Sequence, residues 1–428
     1  MARHFDGSQS AGRSGNTAGR VRTMTDYYPV GIQITAAAVP DRLWDVVIAG
    51  AGPAGAMAAL HLASAGHSVL LLDKFLFPRE KICGDGLIAD AMTCLRRAGL
   101  DETVKAHAHR VPEASAFTPW SAAPIAMPGE YWIIRRLVLD NLLATEAVKR
   151  GAVFAQGRVE EVERNEGRET LVRLSGIHQA IRAKVVILAT GTDVSLMKRL
   201  NMLAPPALLG LAVRCYVRHS DGPATLTGLF DPSRLKGYGW IFPVEKDVFN
   251  IGFVESLRSG RPKNPRTLFA EFARTFEPAR RLMEGGKVLT PLKGAWARCG
   301  LTGALPVSGN ILAAGECVGS TLPFTGEGIG TAMITGECAA ACVHEALASG
   351  DLGKLRDYPG ALESRLRIRQ KNHRLVGRLF STPLLSRFLV RRIENNPRLR
   401  AAALRMIHGD TEAQNVLTMR RIARAVFR

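Results

Sequence analysis

Paired cysteines are missing from this sequence. Seven cysteines (83, 94, 215, 299, 317, 338 and 342) are scattered over 428 residues, and no two form a C-x-x-C pair. That excludes zinc ribbons and ferredoxin-type clusters, and the odd, dispersed set fits a reducing compartment. Cys338 and Cys342 lie one turn apart in an alanine-rich stretch, where small packing residues are the plain reading. No 18-residue apolar run is free of both glycine and charge, so no transmembrane helix is expected. The N-terminus lacks an apolar core of signal-peptide length. His107 and His109 read as surface residues, and no metal site is expected. There is no internal repeat.

Acidic residues are scarce at the C-terminal end. From Ala361 to Arg428 there are 16 Lys and Arg against 4 Asp and Glu, within a chain of net charge +19. The plain reading is a solvated basic helical face; the functional ones are an anionic membrane surface or an acidic partner. No helix-turn-helix, zinc-finger or aromatic RNA-binding signature accompanies the charge, so a nucleic-acid partner is not expected.

What is present is concentrated between Trp44 and Leu87. Val46–Ala49 reads as a buried strand, followed by Gly50-Ala51-Gly52-Pro53-Ala54-Gly55, an alanine-rich helix to about Ala65, and a second strand from Ser68 to Leu72 that ends on Asp73. A glycine fingerprint that follows a strand, opens a helix and has an acid about 20 residues on is a strong dinucleotide signal, where a lone G-x-G-x-x-G is weak. Gly50 allows the tight turn, Gly52 lets a pyrophosphate approach the backbone, and Gly55 lets the helix pack on the strand. The helix N-terminus offers free N–H groups to phosphates. Asp73 suits ribose hydroxyls and disfavours a 2′-phosphate. The fingerprint occurs once.

Residues 1–40 read as a disordered extension rich in Gly, Ser and Arg, with Met24 an alternative start and an organelle transit peptide a minor reading. Residues 75–92 read as a loop, with a short helix from Ala91 to Gly99; 111–134 as strands broken by Pro112, Pro119, Pro124 and Pro128; and Leu137–Arg150 as an amphipathic helix. Strands and a turn at Gly167 are expected over 153–174, and a strand over Val185–Ala189. The stretch 207–256 alternates like a sheet, with turns at Asp221-Gly222 and Lys236-Gly237. Residues 265–284 read as one helix, Ile311–Ala314 as a final buried strand, and 326–348 as a long helix. Helices interrupted at Pro383 and Pro397 follow. The plan is an α/β chain: a Rossmann-like nucleotide domain (41–205 and 295–348) interleaved with a β-rich substrate domain (206–294), then a basic helical region (349–428).

Four further stretches, with the fingerprint, resemble the FAD-dependent geranylgeranyl reductase family, among flavoproteins related to p-hydroxybenzoate hydroxylase. The resemblance spans about residues 44–345. The first is Phe77-Pro78-Arg79-Glu80-Lys81-Ile82-Cys83-Gly84-Asp85-Gly86, similar to the family's Cys-Gly loop beside the flavin ring. Here Arg79 and Lys81 are expected to favour the Cys83 thiolate; taken alone, the stretch is a polar turn with a chance cysteine. The second is Arg135-Arg136 with Asp140. The family's FAD-contacting arginine matches Arg136 by spacing, while Arg135 reads equally as a basic helix start.

The third is Tyr238-Gly239-Trp240-Ile241-Phe242-Pro243, followed by Asn250-Ile251-Gly252, similar to the family's strand on the isoprenoid side of the flavin. Alternation puts Tyr238, Trp240 and Phe242 on one face, an apolar wall suited to a polyprenyl chain, though a sheet core needs the same pattern. Halogenases of the group carry tryptophan-x-tryptophan-x-isoleucine-proline instead. The fourth is Gly315-Glu316, then Pro323-Phe324-Thr325-Gly326-Glu327-Gly328-Ile329, a helix start expected to face the flavin's pyrimidine end. Glu316, Thr190 (before Gly191) and Val254 depart from the usual Asp, Asp and Gly.

The resemblance implies bound FAD, held by Gly50, Gly52, Ala54, Gly55, Asp73, Lys74, Arg79, Cys83, Gly84, Arg136, Gly191, Gly315, Glu316, Gly326, Gly328 and Ile329. It implies catalytic roles for Cys83, Tyr238 and Trp240, and a substrate wall of Tyr238, Trp240, Phe242, Pro323 and Phe324. With no second nucleotide domain, the reductant docks transiently: NAD(P)H or a reduced carrier. The expected reaction reduces C=C bonds of a polyprenyl lipid, in the cytoplasm or at the inner face of the membrane, with the basic tail (such as Leu375 to Ile393) holding the surface. The alternatives are a flavin monooxygenase or dehydrogenase acting on a soluble metabolite, distinguished by oxygen use, and a binding protein that keeps FAD without turnover.

Overall fold

The computed structural model describes residues 33–408, apart from 164–168, 206, 234, 236 and 258–263. The expected turn at Gly167 and the last twenty residues of the basic tail lie outside the described residues. Along the chain run β1 (Gln33–Thr35), β2 (Leu43–Ala49), α1 (Pro53–Ser64), β3 (Val69–Asp73), β4 (Gly86–Leu87), α2 (Ala89–Arg97) and α3 (Asp101–Lys105). Then come β5 (His109–Phe117), β6 (Ile125–Ile133), α4 (Arg136–Lys149), β7 (Val153–Gln156), β8 (Val159–Glu163), β9 (Thr170–Leu174), β10 (Ile181–Leu188) and α5 (Ser195–Arg199). The middle of the chain supplies β11 (Leu208–Arg218), β12 (Leu226–Phe230), β13 (Gly237–Glu245), β14 (Val248–Leu257), α6 (Pro265–Thr275), α7 (Glu277–Gly285), β15 (Lys287–Val288) and β16 (Lys293–Cys299). The rest is β17 (Val307–Ser308), β18 (Ile311–Ala313), α8 (Ile329–Ser349), α9 (Tyr358–Phe380), α10 (Pro383–Asn395) and α11 (Pro397–His408).

Two sheets organise these elements. The first has the order β1-β7-β3-β2-β10-β18-β17, parallel except for the last pair, with the β8–β9 hairpin on β10. Its strands are continuous apolar runs because helices cover them; Val46, Val47, Ile48, Leu70, Leu71 and Ile187 are fully buried. Small residues let α8 cross α1 closely: a Cβ on Gly336 would lie 2.3 Å from the Ala54 carbonyl oxygen. The second sheet runs β15-β11-β14-β13-β12-β5-β6-β4, with β16 also on β11. One face packs Val213, Ile251 and Phe253 against Phe269 and Phe272 of α6 and Leu282 of α7; the other looks toward the first sheet. This is the expected α/β fold with a C-terminal helical region.

Several local expectations are corrected. Residues 33–35 are not part of a loose extension: Gln33, Ile34 and Thr35 pair in parallel with Phe154, Ala155 and Gln156. The 75–92 stretch contains β4 and the start of α2. Pro112 and Pro128 lie inside β5 and β6, where the register slips between Val111 and Glu113; a residue without an N–H is tolerated at such a bulge. Helix α4 is not amphipathic, since ten of its fourteen residues are buried. The 265–284 helix is two, broken at extended Phe276 (φ −99°, ψ 109°), two residues before Pro278. Gly237 belongs to β13 rather than to a turn. The second sheet also draws on β4–β6, from within 41–205, and on β16, which runs across the 294 boundary.

Candidate active site

A cavity of about 480 Å3 lies between the sheets. At one end is the glycine loop. Gly50 leaves β2 with φ +108°, and a Cβ there would lie 2.2 Å from the Ala189 carbonyl oxygen, so the turn needs glycine. At Gly52 the nearest atoms to a Cβ are guanidinium nitrogens of Arg136 and Arg79, at 3.8 and 3.9 Å. A bare backbone at the start of α1 thus faces cavity with two cations across it. Helix N–H groups and two guanidiniums are the parts of a diphosphate site. Ala54 and Gly55 are buried in the first turn of α1.

The guanidiniums are held by carboxylates. Arg136 makes two bonds to Asp140, Nε–Oδ1 at 2.7 Å and Nη2–Oδ2 at 2.8 Å. Arg79 reaches Asp140 at 2.9 Å and Asp73 at 3.5 Å. Asp73 ends β3 and accepts from the Ala51 and Phe75 amides, each at 3.0 Å. One carboxylate therefore organises both the glycine turn and an arginine that lines the cavity across from Gly52. Lys74 pairs with Asp193 at 3.2 Å on the rim.

The Cys83–Gly86 loop crosses the middle of the cavity. A Cβ on Gly84 would come within 3.2 Å of Phe242 and 3.6 Å of the Trp240 indole nitrogen, so the loop packs directly on the aromatic strand. Arg79 and Lys81, expected to favour a Cys83 thiolate, are engaged elsewhere. Arg79 is committed to Asp73 and Asp140, and Lys81 lies 3.8 Å from Glu316. Burial pushes the Cys83 thiol above its ordinary value; the opposing cation is Arg136.

At the far end, the Glu316 Oε2 atom lies 3.7 Å from the Cβ position of Gly191, and its Oε1 accepts from Thr321 Oγ1 at 3.5 Å. Gly315 donates its N–H to Thr335 Oγ1 at 2.7 Å. Gly326 and Gly328 lead into α8, which starts at Ile329; Gly328 is its N-cap. The Tyr238 hydroxyl donates to the Thr325 carbonyl oxygen, tying the aromatic strand to this loop. Burial also raises the Tyr238 phenol.

Tyr238, Trp240 and Phe242 share one face of β13, with ring centroids 6.1 and 6.3 Å apart. The series continues: Phe230 stacks on Tyr238 at 5.1 Å and on Phe324 at 5.4 Å, and Phe324 meets Phe380 of α9 at 5.4 Å. It leads into a second cavity of about 750 Å3, which shares Phe230, Tyr238 and Thr325 with the first. Pro323, Phe324, Leu389, Val390 and Ile393 are among its walls. Its charged described lining residues are Arg374, Arg378 and Arg400; none is acidic. Phe230 and Phe380 escaped the sequence reading. Phe230 was findable only through pairing, since it lies opposite Tyr238 in the β12–β13 register.

Among the described residues no group of three or more His, Cys, Asp or Glu converges on a metal-sized site, and His107 and His109 are half-buried rather than surface residues. No described helix is long and apolar enough to cross a membrane.

A family model described as an FAD binding domain matches residues 44–202. A menaquinone reductase of Mycobacterium tuberculosis is 32% identical over 345 residues, 75% of this chain and 80% of that protein. Digeranylgeranylglycerophospholipid reductase 1 of Methanosphaera stadtmanae is 27% identical over 330 residues, 73% of this chain and 78% of that protein. Among solved structures, a flavin-dependent brominase has TM-score 0.72 at 21% identity, covering 86% of this chain and 94% of that one. A geranylgeranyl bacteriochlorophyll reductase-like protein of Thermoplasma acidophilum has TM-score 0.71 at 20% identity, covering 82% and 91%. At those identities the structures establish the fold and not the reaction. The open backbone at Gly52 between two carboxylate-held arginines fits an FAD diphosphate. The chain is an FAD-dependent oxidoreductase and belongs to the FAD-dependent geranylgeranyl reductase family.

Proposed function

We propose that this enzyme reduces carbon–carbon double bonds of a polyprenyl lipid. The observation that carries this reading is the aromatic series from Phe242 to Phe380, which joins the flavin-side cavity to a second, larger apolar cavity. A long unsaturated chain can lie in the second cavity with one double bond against Cys83. The arginines at that cavity, without an acid among its described lining residues, suit an anionic head group.

FAD, when bound and reduced, supplies the hydride. The residues proposed to hold it are Gly50, Gly52, Ala54, Gly55, Asp73, Lys74, Arg79, Cys83, Gly84, Arg136, Gly191, Gly315, Glu316, Gly326, Gly328 and Ile329. Hydride transfer to an isolated alkene also requires a proton. Cys83 and Tyr238 both keep theirs because burial disfavours their anions. The Tyr238 proton is already engaged on Thr325, so Cys83 is assigned as the donor; Arg136 is the cation that offsets the thiolate formed, which regains its proton from solvent between turnovers. Trp240 and Phe242 exclude water beside it. The reductant is NAD(P)H or a reduced carrier protein.

Helix α10 supports association with a membrane surface. Its inner residues Leu389, Val390 and Ile393 wall the second cavity, while Leu384 (80% exposed) and Phe388 (43% exposed) face outward with Arg387 and Arg391. Apolar and basic residues on one exposed helix face match an anionic lipid surface.

The test is anaerobic. The purified flavoprotein is reduced with dithionite and mixed with a geranylgeranylated phospholipid, and both flavin absorbance and lipid mass are followed. Flavin reoxidation with a gain of two mass units per bond is expected. A flavin that stays reduced until oxygen is admitted would overturn the reading in favour of a monooxygenase.

A further inference from the structure

Asn250 lies in β14, between Tyr216 of β11 and Phe242 of β13 in register, and is fully buried. A buried amide must have its polar atoms satisfied. The Asn250 Oδ1 accepts from the Trp240 indole N–H at 3.0 Å. Its Nδ2 donates to the Cys83 carbonyl oxygen and to Asp85 Oδ2, both at 2.8 Å. The orientation is forced by chemistry, because the indole can only donate and the carbonyl can only accept.

Asp85 anchors the arrangement. It is fully buried, with φ +67°, a left-handed conformation uncommon outside glycine. Its Oδ2 also accepts from the Tyr216 hydroxyl at 2.5 Å. The indole is confined from below as well, since a Cβ on Gly252 would lie 2.2 Å from the Trp240 ring. One side chain thus joins the carbonyl of the residue assigned as proton donor to the indole beside the substrate path.

We propose that Asn250 is a positioning residue that locks Trp240 and the Cys83 loop into one rigid face, and so selects which double bond of a bound chain lies against Cys83. This rests on the reading of the reaction above. Without the amide, the indole edge is free to turn and the Cys83 carbonyl loses its tether.

The test compares Asn250→Leu, Asn250→Asp, Trp240→Phe and the exchange Asp85→Asn/Asn250→Asp in FAD-loaded protein. Cys83 alkylation by iodoacetamide is followed by peptide mass analysis, with half-buried Cys342 as internal reference. Loss of a hydrogen bond of about 1.4 kcal/mol corresponds to about tenfold. Asn250→Leu should speed Cys83 alkylation by about that factor, lower kcat more than KM, and broaden the pattern of reduced bonds. Asn250→Asp places a second carboxylate against Asp85 and should act the same way, while the exchange restores a donor between the two positions and should recover part of the loss. Trp240→Phe keeps an apolar ring while removing the N–H link and part of the ring's bulk, so it serves if Asn250→Leu fails to fold, and should broaden the products similarly. Unchanged alkylation and product pattern in Asn250→Leu, or in Trp240→Phe alone, would overturn the proposal. If alkylation responds as expected but no protein, wild type included, reduces the lipid, the lock stands and the assigned reaction fails.

Discussion

One buried acid, Glu327, carries a pronounced pH dependence at the residue scale. Asp90 and Glu327 both pair with Arg369, Glu327 at 2.9 Å. One guanidinium cannot neutralise two carboxylates, and burial pushes Glu327 up to about 8. A raised carboxyl pKa costs nothing where the group is protonated in both states, and costs stability as pH rises from the ordinary value toward 8. Glu327→Gln should therefore raise the melting temperature by a few degrees at pH 8 and leave it unchanged at pH 4; a fall at pH 8 would show that the pair with Arg369 dominates. Cys83 has the same sign. Its raised thiol predicts an alkylation rate that keeps climbing with pH beyond 9; a plateau below pH 7 would restore the thiolate. The fingerprint, Asp73, Arg136 and the aromatic triplet were legible because each sits in a local pattern. Asp85 and Asn250 stood inside the recognised stretches, but their pairing was not legible, and neither was Arg369, since the partners lie far off in sequence (Asn250 to Asp85 spans 165 residues).

Helices α9 and α10 do different work from what their charge alone implies. Three polar side chains fasten α9 to the loops beside the nucleotide fold: Arg369 to Glu327, Gln370 to the Ser320 carbonyl at 2.6 Å, and Arg374 to the Gly300 carbonyl at 2.8 Å. Removing the whole tail would therefore damage the site as well as any lipid-binding surface. The informative change is on the outer face of α10. Each arginine near an anionic membrane contributes about 1 kcal/mol, so Arg387→Gln/Arg391→Gln should weaken partition onto phosphatidylserine liposomes about 30-fold at low salt, with flavin content unchanged. Unaltered co-sedimentation would remove α10 from the membrane argument. The sequence marked this region as basic and helical, and Pro383 and Pro397 as breaks; both prolines open helices. It did not mark the inner face, because a wall of a cavity and a core face have the same apolar spacing.

Over the whole molecule, the first sheet gathers strands from residues 33–35 to 311–313, and the second takes β4–β6 from inside the nucleotide region. Buried parallel strands were easy to read as apolar runs. Their neighbours were not, because strand order follows from packing between remote segments; β1 and the shared origin of the second sheet were missed for that reason. The consequence is an indivisible nucleotide site. Ala189 closes on Gly50, and Gly315 on Ala54, where a Cβ at Gly315 would stand 3.0 Å from the alanine. A chain ending after residue 310 should purify without flavin, and one ending after residue 408 should keep it, as read by absorbance at the flavin band per protein. Stoichiometric flavin in the shorter chain would show that residues 1–310 suffice to hold it.

The pairing of Asp73 with the Ala51 amide places the finished shape of the glycine turn early in the chain, while Arg369 and Gln370 close the site from its far end. Synthesis proceeds from the N-terminus. The stretch that names the cofactor leaves the ribosome long before the strand at 311–313 that completes its sheet, so capture of FAD is expected only once most of the chain is made. Vitamin supply would then act on newly finished chains and not on growing ones, so a shortage of riboflavin should appear as loss of completed protein, with its synthesis rate untouched.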